Sequence, residues 1–266
     1  ISKFFISNTF YAIGTYALEL HQSYKTKFLF NFAKKFFNKI TFFSSFTKSN
    51  LEEKINFKNS IVKKVINPII YLKEKNIKSK KFKNKTILCI GEIKPRKGYH
   101  FLIKVLSELN NIYNKNYNLI IIGNLDNFAY GNKLKNLIKK FNLQKKVKIL
   151  TNVNEKELSF YYKKSHIFTL LSKKHGNHFE GFGIVYLEAL YYNLPIIISK
   201  ESGAKDLINI NSNLKTFSPN NYKKIAKEII RLTNNKNSIK PNYYRNILIK
   251  HCNINKMKLT KFYKNL

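Results

Sequence analysis

Residues 167–199 read IFTLLSKKHGNHFEGFGIVYLEALYYNLPIIIS. The apolar run Ile167–Leu171 has the length and composition of a buried strand. A polar loop follows, and glycines open a helix running from about Gly183 to Tyr192. Asn193-Leu194-Pro195 stops that helix, and Pro195–Ser199 reads as another strand. Strand, helix and strand in succession make a βαβ unit, whose two strands are parallel. The same rhythm extends back to Thr86. Thr86–Ile90, Asn118–Ile122 and Val147–Leu150 read as strands. Helices are expected at about Gly98–Asn110, Gly131–Phe141 and from Asn154 to Lys164, the last opening on the capping-box-like Asn154-Glu155-Lys156-Glu157. Two further helices, at about Asn220–Leu232 and Asn242–Tyr263, close the chain. The expected fold class is α/β with a doubly wound parallel sheet. Such sheets bind ligands at the carboxyl ends of their strands, here the loops 91–98, 123–130, 151–154, 171–183 and 200–204.

Upstream the pattern is mixed. A helix-like stretch covers about Leu18–Phe37, strands are expected at Ile40–Ser44 and Val62–Ile66, and Thr47 is a candidate cap for a short helix through Ile55. Residues 71–85 have the Lys-rich, polar composition of a linker.

Hydrophobic residues make up 44% of the 266, which fits a packed globular protein. No apolar run nears the ~20 residues of a membrane span, and the start shows no secretory signal. The chain begins at Ile1 without an initiating Met, so an N-terminally truncated protein is expected. Cys89 and Cys252 are the only cysteines, too few for a disulfide framework, which fits a reducing cytoplasm. The formal charge is +36. Nucleic acid is one reading of it; a bias toward Lys, Asn, Ile and Phe along the whole chain is the other. Only Arg96, Arg231 and Arg245 are arginines. Arginine is the residue suited to bidentate phosphate and base recognition, so bias is favoured and no nucleic acid is expected as a partner. Weak attraction to an anionic membrane surface is expected from the lysines.

Two segments carry chemistry. Glu180-Gly181-Phe182-Gly183-Ile184-Val185-Tyr186-Leu187-Glu188 places two carboxylates with seven residues between them across a loop-to-helix junction. Glycines let backbone approach a ligand, and the unpaired N–H groups of a new helix suit phosphate. A carboxylate farther into the helix suits a vicinal diol such as a ribose, and one before it suits sugar hydroxyls. The plainer reading is a glycine-entered helix with solvated glutamates. Gly91-Glu92-Ile93-Lys94-Pro95-Arg96-Lys97-Gly98 lies between the first strand and first helix of the regular region. Lys97 is placed to meet a diphosphate as a point charge, and Arg96 to add a bidentate contact. The plainer reading is a basic turn in a basic protein. His175 and His178 flank Gly176 before the first motif; loop histidines there are more often bystanders than ligands.

With both segments quoted, the chain resembles glycosyltransferase family 4, retaining enzymes of the GT-B fold with two Rossmann-like domains. Glu180 to Glu188 looks like that family's E-x7-E motif, and residues 91–98 look like its G-R-x-x-x-x-K-G loop. Weaker likeness runs through Ile121-Ile122-Gly123, Lys156–Tyr162 and Ser202-Gly203-Ala204. The resemblance implies a truncated acceptor-binding domain at 1–75, a nucleotide-sugar donor domain at 76–240 and a C-terminal helix at 241–266 crossing back. It implies that Lys97 and Arg96 bind the donor diphosphate, Glu188 the ribose hydroxyls, and Glu180 the transferred sugar, as the catalytic residue. Gly181, Phe182, Gly183 and Ile184 would present backbone to sugar and phosphate, and the base would meet backbone around Thr151–Asn154. The implied reaction moves a sugar from a nucleoside diphosphate to a glycan or lipid-linked acceptor with retention. Neither cofactor nor metal is expected, and the setting is cytoplasmic, at the inner face of the membrane. Two departures support an alternative, a nucleotide-binding remnant without turnover. Glu92 stands where the family has a phosphate-binding arginine. Ile13, in Ile13-Gly14-Thr15-Tyr16-Ala17, stands where it often has a histidine, and His21 is no obvious substitute.

Overall fold

The computed structural model describes residues 9–12, 39–57, 59, 61–71, 79–176, 178–234 and 242–264. Ile13–Ala17, His21 and the helix-like stretch Leu18–Phe37 lie outside these residues. Strands β1 (Thr9–Ala12), β2 (Lys39–Phe42) and β3 (Val62–Val65) form a parallel sheet in the order β1-β2-β3. Helix α1 (Ser45–Glu52) follows β2. Its cap is Ser44 rather than the expected Thr47. Ser44 has extended backbone and its hydroxyl accepts the Thr47 N–H at 3.0 Å, the geometry of an N-cap three residues ahead of its donor. The strand β1 had no counterpart in the sequence reading.

The regular region begins at β4 (Lys85–Ile90), followed by α2 (Tyr99–Ser107), β5 (Tyr117–Ile122), α3 (Phe128–Lys140) and β6 (Val147–Leu150). Then come α4 (Glu155–Lys164), β7 (Ile167–Leu170), α5 (Ile184–Tyr191) and β8 (Ile196–Ser199). A two-residue strand β9 (Thr216–Phe217) and helices α6 (Tyr222–Asn234) and α7 (Tyr243–Lys264) complete it. The capping box at Asn154 and Glu157 is present as expected. The helix expected to reach Asn110 as an α-helix instead widens into a π turn at Glu108–Ile112. There Asn110 donates to Tyr117 O at 3.2 Å and accepts from Tyr117 N at 3.0 Å, tying the turn to the start of β5.

The six strands β4–β9 are all parallel, in the order β6-β5-β4-β7-β8-β9. Counted from β4, that is 3-2-1-4-5-6, the doubly wound Rossmann order, with its crevice where the order reverses. The reversal falls between β4 and β7, so the loops 91–98 and 171–183 open at one place. The central strands β4, β7 and β8 are largely apolar and buried because helices cover both faces; Ile87, Leu88, Cys89, Ile167, Phe168 and Ile197 are wholly buried. Among the described residues, no helix is long and apolar enough to cross a membrane.

α5 ends at Asn193, whose left-handed φ of 55° is tolerated better by asparagine than by most side chains. Its side-chain oxygen accepts the N–H groups of Tyr244 (3.0 Å) and Arg245 (3.3 Å), so the residue that terminates α5 also caps α7. From there α7 returns to the segment after β3. His251 Nε2 donates to Pro68 O at 2.8 Å, and Asn255 accepts from Asn67 N at 3.0 Å. Burial holds the His251 imidazole below its ordinary range, and the carbonyl partner requires a proton on Nε2.

Gly98 locks the two crevice loops together. Its φ is 74°, and a Cβ there would sit 1.9 Å from the Leu171 carbonyl oxygen. Gly98→Ala is therefore expected to destabilise the protein by at least ~2 kcal/mol, from strain and overlap combined. Gly176 also has positive φ but nothing within 4 Å of an added Cβ; Gly176→Ala should cost only about 1 kcal/mol. Urea unfolding of both variants checks the contrast. A second expectation concerns acid. Burial, with Lys133, Lys104 and Lys173 adding to it, pulls His100 from 6.5 down to about 4. The unfolded chain therefore binds this proton first, so His100 destabilises the fold as pH falls from about 6.5 toward 4. Unfolding midpoints between pH 7 and 4 should fall less steeply in His100→Gln.

Candidate active site

The loop after β4 turns through a short 3-10 helix at Pro95–Lys97 and reaches α2 at Gly98. Several bonds hold it. Ile93 N donates to Asn124 O at 2.8 Å, the Tyr99 hydroxyl donates to Gly91 O, and Lys173 N donates to Arg96 O at 2.8 Å. The last bond joins it to the loop after β7. That loop runs along the start of a 3-10 helix at Gly203–Asn209. Glu180 pairs with Ser202 as a parallel bridge, and Gly203 N donates to Glu180 O at 3.0 Å.

These restraints bring Glu180, Lys97 and Arg96 together. Glu180 is 8% exposed. Its Oε2 lies 2.5 Å from Lys97 Nζ and 3.5 Å from Arg96 Nη1. A buried carboxylate is tolerable only when paired and hydrogen-bonded, and this one has two cationic partners from a different loop. Glu92 sits on the outer side, its Oε2 3.1 Å from Lys94 Nζ and 3.8 Å from Arg96 Nη2. Its carboxylate is thus engaged by Lys94 and Arg96. Three cations face two carboxylates in the cluster, leaving an excess positive charge.

The cluster lies at the entrance to α5. Gly183 is that helix's N-cap, with φ 84°, and no side chain caps it. Tyr186 N donates to Gly183 O at 3.0 Å, and the N–H groups of Ile184 and Val185 ahead of it are the ones suited to an anion. Phe182 is turned inward, 3% exposed, with its ring 5.7 Å from the His251 ring; its backbone and that of Gly183 are what the loop offers, the Gly181 carbonyl being taken by Ser44 and Thr47. Ile184, the first residue of α5, is half exposed.

Glu188 is placed apart from this cluster. Its Oε2 accepts a 2.7 Å bond from the Tyr162 hydroxyl on α4. Burial and the neighbouring Glu188 push the Tyr162 phenol well above its ordinary range, so it keeps its proton and acts as the donor. Tyr162 in turn stacks on Tyr192, centroids 5.0 Å apart. Glu188 lines a groove of about 630 Å³ with Tyr162, Lys156, Lys163, Tyr192 and Tyr71. A second cavity, about 580 Å³ and lined by Glu228, Arg231 and Tyr243, sits at the opposite ends of the strands and contains no motif residue. Asn154, in the segment expected near a base, is committed to capping α4. His175 and His178 pair through their own backbones at 2.9 and 3.0 Å. Among the described residues no three His, Cys, Asp or Glu side chains are grouped to hold a metal ion. Cys89, under the loop, is wholly buried and its thiol is pushed up by burial, which makes it core.

The sequence reading missed Tyr162, Ser44, Thr47 and Asp206. Tyr162 falls at the end of the weakly similar Lys156–Tyr162 segment, the only signal for it. Ser44 and Thr47 reach the Gly181 carbonyl, and Asp206 reaches Ser45 and Asn67, through contacts spanning more than a hundred residues, which no local pattern shows.

The family model described as "Glycosyl transferases group 1" matches residues 72–249. An uncharacterized glycosyltransferase of Haemophilus influenzae is 32% identical over 190 residues, 71% of this chain and 50% of that protein. An O-antigen chain mannosyltransferase of Salmonella typhimurium is 33% identical over 121 residues, 45% of this chain and 31% of its own length. The chain thus spans about half or less of these curated relatives. Among solved structures, the Anabaena protein Alr3699/HepE in complex with UDP-glucose superposes with a TM-score of 0.69 at 16% identity, covering 94% of this chain and 72% of that one. The fold is therefore the α/β, Rossmann-like GT-B type, and the chain belongs to the group 1 glycosyl transferase family.

Proposed function

We propose that the chain binds a nucleoside-diphosphate sugar at the β4/β7 crevice and transfers the sugar, with retention, to a glycan or lipid-linked acceptor. The observation that carries this is the Lys97–Glu180–Arg96 cluster at the uncapped N-terminus of α5. Lys97, Arg96 and the first-turn N–H groups would take the diphosphate and neutralise the charge that grows on it as the bond to the sugar breaks. Glu180 would face the sugar, where a carboxylate stabilises positive charge developing on the ring. Glu188, held by Tyr162, would accept the ribose hydroxyls from the floor of its groove. Retention and membership of family 4 rest on the E-x7-E resemblance. In the same reading, residues 76–240 form the donor domain, residues 1–75 belong to the acceptor domain, and α7 crosses between them. The lysines would favour the inner face of a membrane. The alternative, a binding remnant without turnover, draws on Glu92 and Ile13; the engagement of Glu92 by Lys94 and Arg96 weighs against it.

UDP is the first nucleotide to test, because the superposed Anabaena structure holds UDP-glucose; GDP, ADP and their sugars follow. By calorimetry, one nucleotide should bind selectively. Lys97→Ala and Glu188→Gln should each weaken that binding about 10- to 100-fold, the loss of one charged hydrogen bond. Glu180→Gln should keep nucleotide binding within about threefold and abolish transfer of labelled sugar. Equal, salt-sensitive binding of every anion would refute the donor site, and selective binding without transfer would favour the remnant.

A further inference from the structure

Glu180 is held on both sides by residues of the first sheet's unit. Phe179, immediately before it, is wholly buried in the smaller core, among Ile40, Phe42, Leu51 and Phe57. Its ring meets Phe46 of α1 edge-on at 5.4 Å. Gly181, immediately after it, has its carbonyl oxygen bonded by two hydroxyls from the start of α1: Ser44 Oγ at 2.5 Å and Thr47 Oγ1 at 3.0 Å. The two hydroxyls also lie 3.0 Å from each other; each has a single proton and a carbonyl oxygen has two lone pairs, so the arrangement that fills both acceptor sites has both protons on Gly181 O, at the shorter Ser44 contact and at the Thr47 contact. The Gly181–Phe182 peptide is planar, and fixing its oxygen fixes the plane.

The rest of the surroundings confirm that the loop fits closely against α1. Gly203 packs beneath it, where a Cβ would lie 1.9 Å from Gly181 O and 2.3 Å from Ser44 Oγ. α1 is itself moored to the donor side through Asp206, 6% exposed. That carboxylate accepts from Ser45 N at 2.8 Å, from the Ser45 hydroxyl, and from Asn67 Nδ2 at 2.9 Å. Ser44 and Thr47 are both fully buried and both lie outside residues 72–249, the span of the family match.

We propose that Ser44 and Thr47 are positioning residues for sugar transfer: by saturating the Gly181 carbonyl they set the orientation of Glu180 toward the donor sugar. The inference rests on the donor-site reading above. Ser44 is also the α1 cap, whereas Thr47, the third residue of the helix, donates its hydroxyl away from it. Thr47→Val therefore removes one donor while keeping shape and cap.

The test uses the full chain, with calorimetric binding of the selected nucleotide and steady-state transfer from its sugar. Thr47→Val should lower kcat about tenfold, the net worth of one hydrogen bond, while nucleotide Kd and donor KM stay within about twofold. Thr47→Ser, which keeps the hydroxyl, should recover most of kcat. Unchanged kcat in Thr47→Val would overturn the proposal, as would equal losses of binding and turnover or a Thr47→Ser variant as slow as Thr47→Val. Should Thr47→Val not fold, Ser44→Gly removes the other donor while retaining an acceptable cap residue, and the same split between kcat and Kd applies. Failure of the unaltered chain to bind any nucleotide selectively would instead overturn the donor-site reading.

Discussion

The contact between Glu180 and Lys97 spans the point where the strand order reverses. One partner comes from the loop after β4 and the other from the loop after β7, so the pair exists only if the sheet is assembled in the order observed. A carboxylate this buried would be costly without its cations. The loops must therefore approach closely, and the structure meets that demand with backbone: Gly98 against Leu171, Gly203 against Gly181, and the Lys173–Arg96 hydrogen bond. In the proposed reading the pair holds the site assembled between turnovers. An incoming diphosphate would offer Lys97 and Arg96 an alternative partner at the uncapped end of α5.

The loop bearing Glu180 belongs to one sheet by connectivity and to the other by packing. Phe179 is core for the first sheet, and Gly181 is bonded by its helix. α7 adds a second tie between the two regions. Asn193 starts it against α5, and His251 and Asn255 fasten it to Asn67 and Pro68. Phe182 packs near His251, so successive residues of the motif touch β2 and α1 on one side and α7 on the other. A family match that begins at residue 72 leaves out the hydroxyls that orient the motif.

The parallel strands were legible because their apolar runs are unbroken and their loops carry glycine, proline or asparagine at the turns. β4 to β8 lie within one residue of where periodicity places them, and α2 to α7 within three. What escaped was of three kinds. Short elements such as β1, β9 and the Gly203–Asn209 helix carry too few residues to show a period. The π turn at Glu108–Ile112 depends on Asn110 meeting Tyr117, a tertiary contact. The α1 cap was misread because Ser44, Ser45 and Thr47 are all acceptable cap residues, and only backbone geometry chooses among them. In the site, Glu180, Lys97 and Arg96 were legible as motif members. Their pairing across two loops and the Tyr162–Glu188 bond were not, since each joins segments that sequence alone does not bring together; the contacts of Glu92 with Lys94 and Arg96 are local and depend on how the loop turns.

The central claim is that the cationic cluster at the switch point is a diphosphate site whose cations are lent to Glu180 when it is empty. A crystal structure with a bound nucleoside diphosphate tests this most directly. The account predicts the two phosphates between Lys97, Arg96 and the first turn of α5, the ribose at Glu188, and the Lys97–Glu180 contact lengthened as Lys97 turns to phosphate. A nucleotide bound elsewhere, or seated in the crevice with the Lys97–Glu180 pair intact and no phosphate contact from either cation, would contradict it.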